Sequence, residues 1–403
     1  MARKLTLEFL KTEAGSGAVL GMAALAALVM ANSPLSADYF ALLKSEHVLA
    51  IGPATLEMSI SEWIKEGLMA IFFLVVGLEI KYEILRGELS DPKKLATPVL
   101  AALGGMIAPG LVYLAVTSTL GGPTQGWPIP LATDIAFALA VFAMFGRGLP
   151  SSLRVFLLTL AIVDDLGAIA LIAVLFSEGV NWVPLAWVAG LLVVAAIAAQ
   201  WKKVPAPFWV LGFSLIWWLT VDAGLSTSLT AVAFAAIVPI KDRRCDGQSP
   251  LKEAMHDLHR YVAYFILPIF AFAKAGVVLA GVSLEQMAAP LVLGIALGLF
   301  LGKQIGVLAM AWLASAIRIG ARPTGATWLE LYGVSLLCGV GFTMSLFIGA
   351  LAFPGAIDSP QQVQVKLGVL TGSLLSGAAG AVVLSVAAAR RKELARARAN
   401  TDA

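Results

Sequence analysis

The chain has 403 residues, of which 59% are apolar and 13% are charged, and its mean hydropathy is +0.89. Water-soluble domains of ordinary composition do not approach these values, so the sequence indicates an integral membrane protein. The net charge of +3 and the scattered basic residues argue against a nucleic-acid partner, and the two cysteines are too few for a disulfide framework or a cysteine metal site.

Twelve apolar windows are candidate membrane spans, because a helix of about 20 residues crosses the hydrocarbon core of a bilayer. They cover residues 14–32, 61–85, 95–118, 124–145, 151–177, 182–200, 205–220, 224–240, 257–277, 288–314, 328–352 and 364–388. We therefore predict an all-α integral membrane protein, with one domain over residues 1–403 and twelve transmembrane helices.

Lysine and arginine residues concentrate before the first window and after every even-numbered window. The alternate connections hold Lys44 and almost no other basic residue. Positively charged loops stay in the cytoplasm, so both termini are predicted to be cytoplasmic. Residues 1–13 are then a cytoplasmic N-terminus, residues 241–256 a cytoplasmic loop and residues 389–403 a basic cytoplasmic tail.

The longest predicted outer segment, residues 33–60, holds two apolar-rich runs on either side of Gly52 and Pro53. This pattern predicts a small extracytoplasmic β-hairpin. An isolated hairpin is marginally stable, so contact with another surface, such as a second subunit, would account for it. An irregular loop is the alternative.

Three carboxylates, Asp134, Asp164 and Asp165, lie inside the fourth and fifth windows. Placing an unpaired charge at such depth costs at least roughly 3 kcal/mol. Charged residues there usually mark an ion or proton pathway. These residues are therefore the predicted functional site.

Two spans are interrupted in sequence. Pro128 and Pro130 break the fourth, and Gly339 and Gly341 weaken the eleventh at its centre. Each lies in the middle of a triplet of helices, three to five and ten to twelve. Paired interruptions indicate the binding site of a transporter with inverted-topology repeats, and two unrelated kinks are the alternative.

A Na⁺ ion prefers oxygen ligands, and a carboxylate supplies both the oxygen atoms and the balancing charge. Adjacent helical residues point about 100° apart, so the two aspartates cannot face one spot equally. We favour Asp165 as the primary ligand and Asp164 as its proton-bearing or salt-bridged neighbour. Because a carboxylate holds either a proton or Na⁺, competition between them is itself an exchange mechanism, with alternating access.

The ends of half-helices that meet at mid-membrane carry partial charges, positive at N-termini and negative at C-termini. Asp134 and Lys303 are available to offset them, and a buried salt bridge elsewhere in the bundle is the alternative. Exchange of one Na⁺ for two protons would be electrogenic, and exchange for one proton would be electroneutral. Residue count leaves both open, because Lys303 can either pair with Asp164 or release a proton itself.

Two other functions fit buried aspartates less well. A passive cation channel needs a continuous pore lined by repeated polar rings, which the sequence does not show. An intramembrane protease needs a catalytic motif, and neither a Gly-x-Gly-Asp run nor a histidine within a spanning core is present.

Five motifs carry a family resemblance over nearly the whole chain: residues 72–81, 132–139, 160–169, 302–303 and 338–345. With these motifs the sequence resembles the NhaA-type sodium/proton antiporters of bacteria. The resemblance implies a twelve-helix fold whose interrupted fourth and eleventh helices cross near the ion site. It also implies a homodimer joined partly by the outer hairpin, in the bacterial inner membrane, with no cofactor.

The same resemblance implies that cytoplasmic Na⁺ or Li⁺ is exchanged for external protons. It assigns the essential ion and proton site to Asp164 and Asp165, with Asp134, Thr133 and Lys303 in support. It also places Glu79 and the cytoplasmic ends of helices two and nine at a pH-responsive entrance.

Near that entrance, Glu253, His256 and His259 are predicted to sense cytoplasmic pH, because histidine titrates close to neutrality. A solvated charged loop is the alternative. Three residues depart from the family pattern. Ser226 and Met255 replace a histidine and a glutamate, which leaves the pH set-point open, and Lys274 replaces an asparagine near the end of helix nine.

Overall fold

The structure is a computed structural model that describes residues 13–51, 54–87, 92–176, 181–200, 206–240 and 249–401. Most of the predicted cytoplasmic N-terminus, the first part of the predicted loop at 241–256, the turn at Gly52 and Pro53, and the last two residues of the basic tail lie outside these ranges.

Eighteen α-helices and two strands occur in the described ranges. In chain order they are α1 (Glu13–Ala31), α2 (Ser36–Lys44), β1 (Glu46–Ile51), β2 (Ala54–Ser59), α3 (Ile60–Trp63), α4 (Met69–Arg86), α5 (Pro92–Leu120), α6 (Ile135–Phe145), α7 (Ser151–Leu175), α8 (Trp182–Ala198), α9 (Ala206–Asp222), α10 (Thr227–Ile237), α11 (Pro250–Tyr261), α12 (Leu267–Ala275), α13 (Leu284–Met287), α14 (Pro290–Leu297), α15 (Lys303–Ala316), α16 (Trp328–Leu337), α17 (Phe342–Ala352) and α18 (Pro360–Thr401).

Short turns of other helix types join some of these helices. Three π-helical turns, Ile64–Leu68, Val262–Ile266 and Gly298–Gly302, connect α3 to α4, α11 to α12 and α14 to α15. Two 3₁₀ turns, Thr124–Gly126 and Ile129–Leu131, precede α6.

The described residues form two compact units. The first unit comprises residues within 1–32, 91–168 and 275–403, and the second comprises residues within 33–90 and 169–274. The first unit has a hydrophobic core built from α5, α6, α7, α15, α16 and α18.

Helices α5 and α15 pack at very short range in the first unit. A Cβ atom added at Gly306 would lie 2.0 Å from the carbonyl oxygen of Gly104, and one added at Gly104 would lie 2.3 Å from that of Gly306. A Cβ atom at Gly302 would likewise lie 2.5 Å from the Cα atom of Pro109. Small residues let two helix backbones approach in this way, which is a common packing mode in membranes.

The hairpin is the most distinctive element of the second unit. Strands β1 and β2 pair antiparallel from Glu46 opposite Ser59 to Ile51 opposite Ala54. The predicted hairpin is therefore confirmed as a two-stranded sheet, and the irregular loop is excluded. The predicted outer segment also contains α2, in which the hydroxyl of Tyr39 donates to the carbonyl of Phe272 at 2.5 Å.

The second unit also contains a close helix pair. A Cβ atom at Gly77 of α4 would lie 2.7 Å from Cβ of Ala235 in α10. The side chain of Lys81 supports the same pair, because its Nζ donates to the carbonyls of Ala236 and Val238 at 2.6 Å each, at the C-terminal end of α10. A lysine near a helix C-terminus satisfies carbonyls that have no backbone donor.

Helical segments occur in each of the twelve predicted windows, and the all-α architecture with one small sheet is confirmed. In the described ranges, five helices are long and apolar enough to cross a membrane, or up to seven if each of two bent helix pairs counts as one span. The number of twelve spans stays a prediction. Helix α11 begins at Pro250, within the segment predicted as a cytoplasmic loop.

The contact between α5 and α15 leads to a stability prediction. We expect Gly306→Ala to lower the melting temperature in detergent, because overpacking a tight contact costs about 1–3 kcal/mol. Gly190→Ala on α8 is the matched control, since a Cβ atom there meets nothing within 4 Å among the described residues. Equal melting temperatures for the two variants would contradict the close contact.

Candidate functional site

The centre of the first unit holds a buried ion pair. Nζ of Lys303, at the start of α15, lies 2.5 Å from Oδ2 of Asp164 on α7, and both side chains are fully buried. Two charges are retained at such depth only when good geometry and further hydrogen bonds compensate for lost hydration. Sequence reasoning allowed Lys303 either to pair with Asp164 or to offset helix ends, and the structure shows the pair.

Thr133 connects this ion pair to the second interrupted helix. Its Oγ1 lies 2.8 Å from Oδ2 of Asp164 and 2.8 Å from the carbonyl oxygen of Cys338. A hydroxyl carries one proton, so the two acceptors share it. The Cys338 carbonyl is exposed to this contact because α16 ends one residue earlier.

Asp134 joins the N-termini of two half-helices. Its Oδ1 accepts the backbone N–H of Phe137 at 3.0 Å and so caps α6, while its Oδ2 accepts the N–H of Thr343 at 3.1 Å and the hydroxyl of Thr343 at 2.6 Å, in the first turn of α17. Both helix ends carry partial positive charge, which a carboxylate stabilises. The residue predicted to offset half-helix ends therefore lies between two of them.

The backbone of the break between α16 and α17 is satisfied by other elements. The N–H groups of Gly341 and Phe342 donate to Oγ of Ser373 on α18 at 3.2 and 3.1 Å. The carbonyl of Val340 accepts the N–H of Asp134 at 2.7 Å. Unwound backbone at membrane depth is tolerated only with such partners.

Two bends of the same size mark the interruptions. The segments Thr124–Leu131 and Ile135–Phe145 meet at 43°, and so do Trp328–Leu337 and Phe342–Ala352. Pro128 and Pro130 precede the first break, and Gly339 and Gly341 lie within the second.

The π-helical turn Gly298–Gly302, immediately before Lys303, packs against both breaks. A Cβ atom at Gly298 would lie 2.8 Å from Cβ of Pro130, and a Cβ atom at Gly339 would lie 2.4 Å from the carbonyl oxygen of Leu299. Glycine is therefore required at these positions by close approach rather than by helix flexibility alone.

Asp165 follows Asp164 on α7 and is 1% exposed. The Asp164 carboxylate, the Thr133 hydroxyl and the Cys338 carbonyl thus provide three kinds of oxygen group, and the Asp165 carboxylate is the next residue on α7. Oxygen donors with negative charge are the ligand set of a hard monovalent or divalent cation. The chemistry that this arrangement supports is exchange of a cation and protons at carboxylate oxygens.

The predicted pH-responsive residues lie in the second unit. Nδ1 of His259 is 3.2 Å from Oε1 of Glu79, and the His259 side chain is 63% exposed. Glu253 and His256 are exposed on α11. The structure thus brings Glu79 and His259 together and places the other two on the surface of the same helix.

The three departures from the family pattern have defined surroundings. Lys274 is buried and its Nζ donates to Oγ of Ser61 at 2.7 Å. Oγ of Ser226 lies 2.6 Å from Oγ of Ser228. Met255 packs against the apolar cluster that includes Leu78.

Sequence reasoning gave no individual role to three groups at the site: Thr343, Ser373 and the Cys338 carbonyl. Thr343 and Cys338 belong to the motif at 338–345, and the small polar residues there were a usable signal. The contact of Ser373 with the break depends on how α18 packs, and no local pattern indicates it.

Three comparisons place the chain among known proteins. Residues 7–384 match the family described as Na⁺/H⁺ antiporter 1. A Na⁺/H⁺ antiporter NhaA of Bordetella parapertussis is 47% identical over 392 residues, covering 96% of this chain and 97% of the relative. One of Proteus mirabilis is 44% identical over 380 residues, covering 94% and 96%.

A solved structure shares the fold. The sodium proton antiporter MjNhaP1 of Methanocaldococcus jannaschii has a TM-score of 0.50 and 15% identity, and the similarity covers 96% of this chain and 99% of that one.

The buried ion pair leads to a second prediction. We expect Lys303→Leu to lower the melting temperature strongly, because removing one partner of a buried pair costs about 3–5 kcal/mol. Adding Asp164→Asn to that variant removes the uncompensated charge and should recover at least half of the loss. If the double variant is less stable than Lys303→Leu, the two side chains do not form the pair.

Proposed function

The chain belongs to the Na⁺/H⁺ antiporter 1 family, and on that premise we propose that it exchanges cytoplasmic Na⁺ or Li⁺ for external protons as a secondary active transporter. The observation that carries the proposal is the pair of buried aspartates at the interrupted helices, one of them bonded to Lys303 and Thr133. Intramembrane charges of this kind mark ion pathways.

In this proposal Asp165 is the primary Na⁺ ligand. Asp164 is the salt-bridged partner that takes up and releases a proton, and the Thr133 hydroxyl and Cys338 carbonyl complete the oxygen set. Oδ2 of Asp164 accepts from both Lys303 and Thr133, whereas its Oδ1 accepts no hydrogen bond among the described residues.

Na⁺ and protons then compete for the same carboxylates. If the empty, ionised site reoriented, it would carry an uncompensated charge through the bundle, which costs free energy. A site that holds Na⁺ or a proton carries no such charge. Reorientation is thus restricted to loaded states, and this restriction couples the two fluxes in alternating access.

Exchange of one Na⁺ for two protons would be electrogenic, and each net charge would be driven by about 2.3 kcal/mol per 100 mV. We propose this stoichiometry because three ionisable groups, Asp164, Asp165 and Lys303, are fully or almost fully buried near one another in sequence or space.

The membrane arrangement in this proposal has twelve spans, with inverted repeats of helices three to five and ten to twelve. Both termini face the cytoplasm, and the membrane is the bacterial inner membrane. The two bends of 43° in the middle members of these triplets support the repeat, and the distribution of lysine and arginine supports the orientation.

We further propose that two chains form a homodimer through the outer hairpin. Val48 and Leu49 on β1 are 60% and 42% exposed, and a lone two-stranded sheet needs a second surface for stability. This proposal is tested by the oligomeric state in detergent of a chain that lacks residues 46–59. We expect a monomer, and a shortened chain that still forms a dimer would exclude the hairpin as the interface.

The contact between Glu79 and His259 supports a pH-responsive entrance, since protonation of the histidine converts the contact to an ion pair. The exposed Glu253 and His256 would add to the charge at this surface. We expect His259→Gln to change the pH profile of exchange. An unchanged profile would show that the contact between Glu79 and His259 does not regulate transport.

The transport proposal is tested by Na⁺-induced collapse of a preformed pH gradient in proteoliposomes. We expect collapse with the unchanged chain and none with Asp164→Asn or Asp165→Asn, because each removes a carboxylate that binds the ion or the proton. Li⁺ should substitute for Na⁺, and K⁺ should not.

Asp222→Asn is the matched control, since Asp222 is an exposed aspartate at the end of α9. Asp222→Asn also removes one carboxylate charge but leaves the buried aspartates in place, so exchange should persist. Voltage clamped with K⁺ and valinomycin should change the rate if exchange is electrogenic. Exchange retained by Asp165→Asn at the rate of the unchanged chain would overturn the site.

A further inference from the structure

A glutamine and a tyrosine next to the ion pair are not accounted for by the proposed ion site. Gln304 directly follows Lys303 on α15 and is 7% exposed. Its Nε2 lies 2.6 Å from the carbonyl oxygen of Phe300, and its Oε1 lies 2.7 Å from the hydroxyl of Tyr332 on α16. A buried side-chain amide with partners on two helices is a specific tether rather than a space filler.

The chemistry of the partners determines which way the amide points. The Phe300 carbonyl can only accept, so the Gln304 amide nitrogen must face it and donate. The amide oxygen is then left to accept, and the Tyr332 hydroxyl must be the donor. Both contacts are thus oriented, and neither residue can exchange roles without losing a bond.

Phe300 lies inside the π-helical turn Gly298–Gly302 that ends at Lys303. In a π turn the helical hydrogen bonds are shifted by one residue, so its carbonyls can meet other donors, and such turns are frequent at functional sites. The Gln304 amide supplies such a donor. It therefore stabilises the turn that determines where the Lys303 side chain begins.

The second unit contains a comparable arrangement at another π turn. The carbonyl of Glu66, within Ile64–Leu68, accepts the indole N–H of Trp217 at 2.8 Å. In both cases a side chain donates to a carbonyl of a π turn, although Gln304 follows its turn on the same helix and Trp217 lies on another helix, α9.

Tyr332 closes a ring of contacts around the ion pair. It lies on α16, the first half of the interrupted eleventh helix, and bonds to the residue after Lys303. Immediately after the C-terminus of α16, the Cys338 carbonyl accepts from Thr133, which also bonds to Asp164. The half-helix is therefore connected to the Lys303–Asp164 pair from its middle, through Tyr332, and from its C-terminal end.

We propose that Gln304 and Tyr332 are positioning residues that tie the half-helix α16 to Lys303, so that the lysine keeps its geometry toward Asp164 as α16 moves during exchange. This inference rests on the proposed function. It assigns neither residue a contact with the ion; both act through Lys303 and the π turn.

The test compares Tyr332→Phe, Gln304→Leu and the double variant in Na⁺/H⁺ exchange in proteoliposomes. Loss of one hydrogen bond is expected to raise the KM for Na⁺ about three- to tenfold, with a smaller effect on kcat. The pH of half-maximal exchange should move upward, because Na⁺ then competes less well with protons. Adding Tyr332→Phe to Gln304→Leu should change nothing further, since its acceptor is already gone.

Ser335→Ala is the matched control. Ser335 is buried on the same half-helix, and within the described part of the chain its Oγ bonds only to the carbonyl of Leu331 one turn earlier, so the variant loses a buried hydroxyl without touching the tether. The proposal is overturned if Tyr332→Phe matches Ser335→Ala in KM and pH profile, or if the two tether variants have additive effects. Tyr332→Phe decides the matter alone if Gln304→Leu does not fold.

A second measurement separates this inference from the proposed function. If the unchanged chain exchanges no Na⁺, the function fails, and the tether is then examined by melting temperature in detergent. The losses from Tyr332→Phe and Lys303→Leu should be non-additive if the tyrosine acts through the lysine, because residues that belong to one hydrogen-bond network couple. Additive losses would overturn the positioning role.

Discussion

A lysine ammonium and an aspartate carboxylate cannot both remain in an apolar helix bundle unless each compensates for the hydration that the other has lost. Lys303 and Asp164 meet this requirement by forming an ion pair, and other contacts in the first unit support the pair. The paired glycines bring α15 against α5, and Thr133 supplies the second donor to Asp164. The same constraint makes the site suitable for exchange, because any change in the charge of one partner changes the balance for the other.

The two interrupted helices solve a separate problem, since each exposes backbone groups that a bilayer cannot hydrogen-bond. Asp134 satisfies the N-termini of α6 and α17 with one carboxylate, and Ser373 satisfies two further N–H groups. Breaks stabilised in this way leave the Cys338 carbonyl directed at Thr133. Through Thr133, the break at Cys338 is therefore connected to the buried Asp164.

In both units a π turn accepts a side-chain hydrogen bond. Glu66 in one turn and Phe300 in another accept from side chains, and the second turn leads directly into Lys303. A helix that carries a critical charge is therefore positioned by backbone form as well as by packing. In the proposed transport cycle, the connection of α16 to this turn couples movement of the half-helix to the position of the Lys303 side chain.

Hydropathy, charge and residue type are local properties, so the sequence by itself determined the membrane class, the helical windows, the hairpin, both interruptions and the buried aspartates. It also indicated the family, through motifs that each span a few residues. Only the tertiary structure decided that Lys303 pairs with Asp164, which lies 139 positions away, that Thr133 reaches the Cys338 carbonyl, and that Ser373 satisfies the break. Contacts between residues far apart in the chain depend on how helices pack, and no periodicity within one helix contains that information.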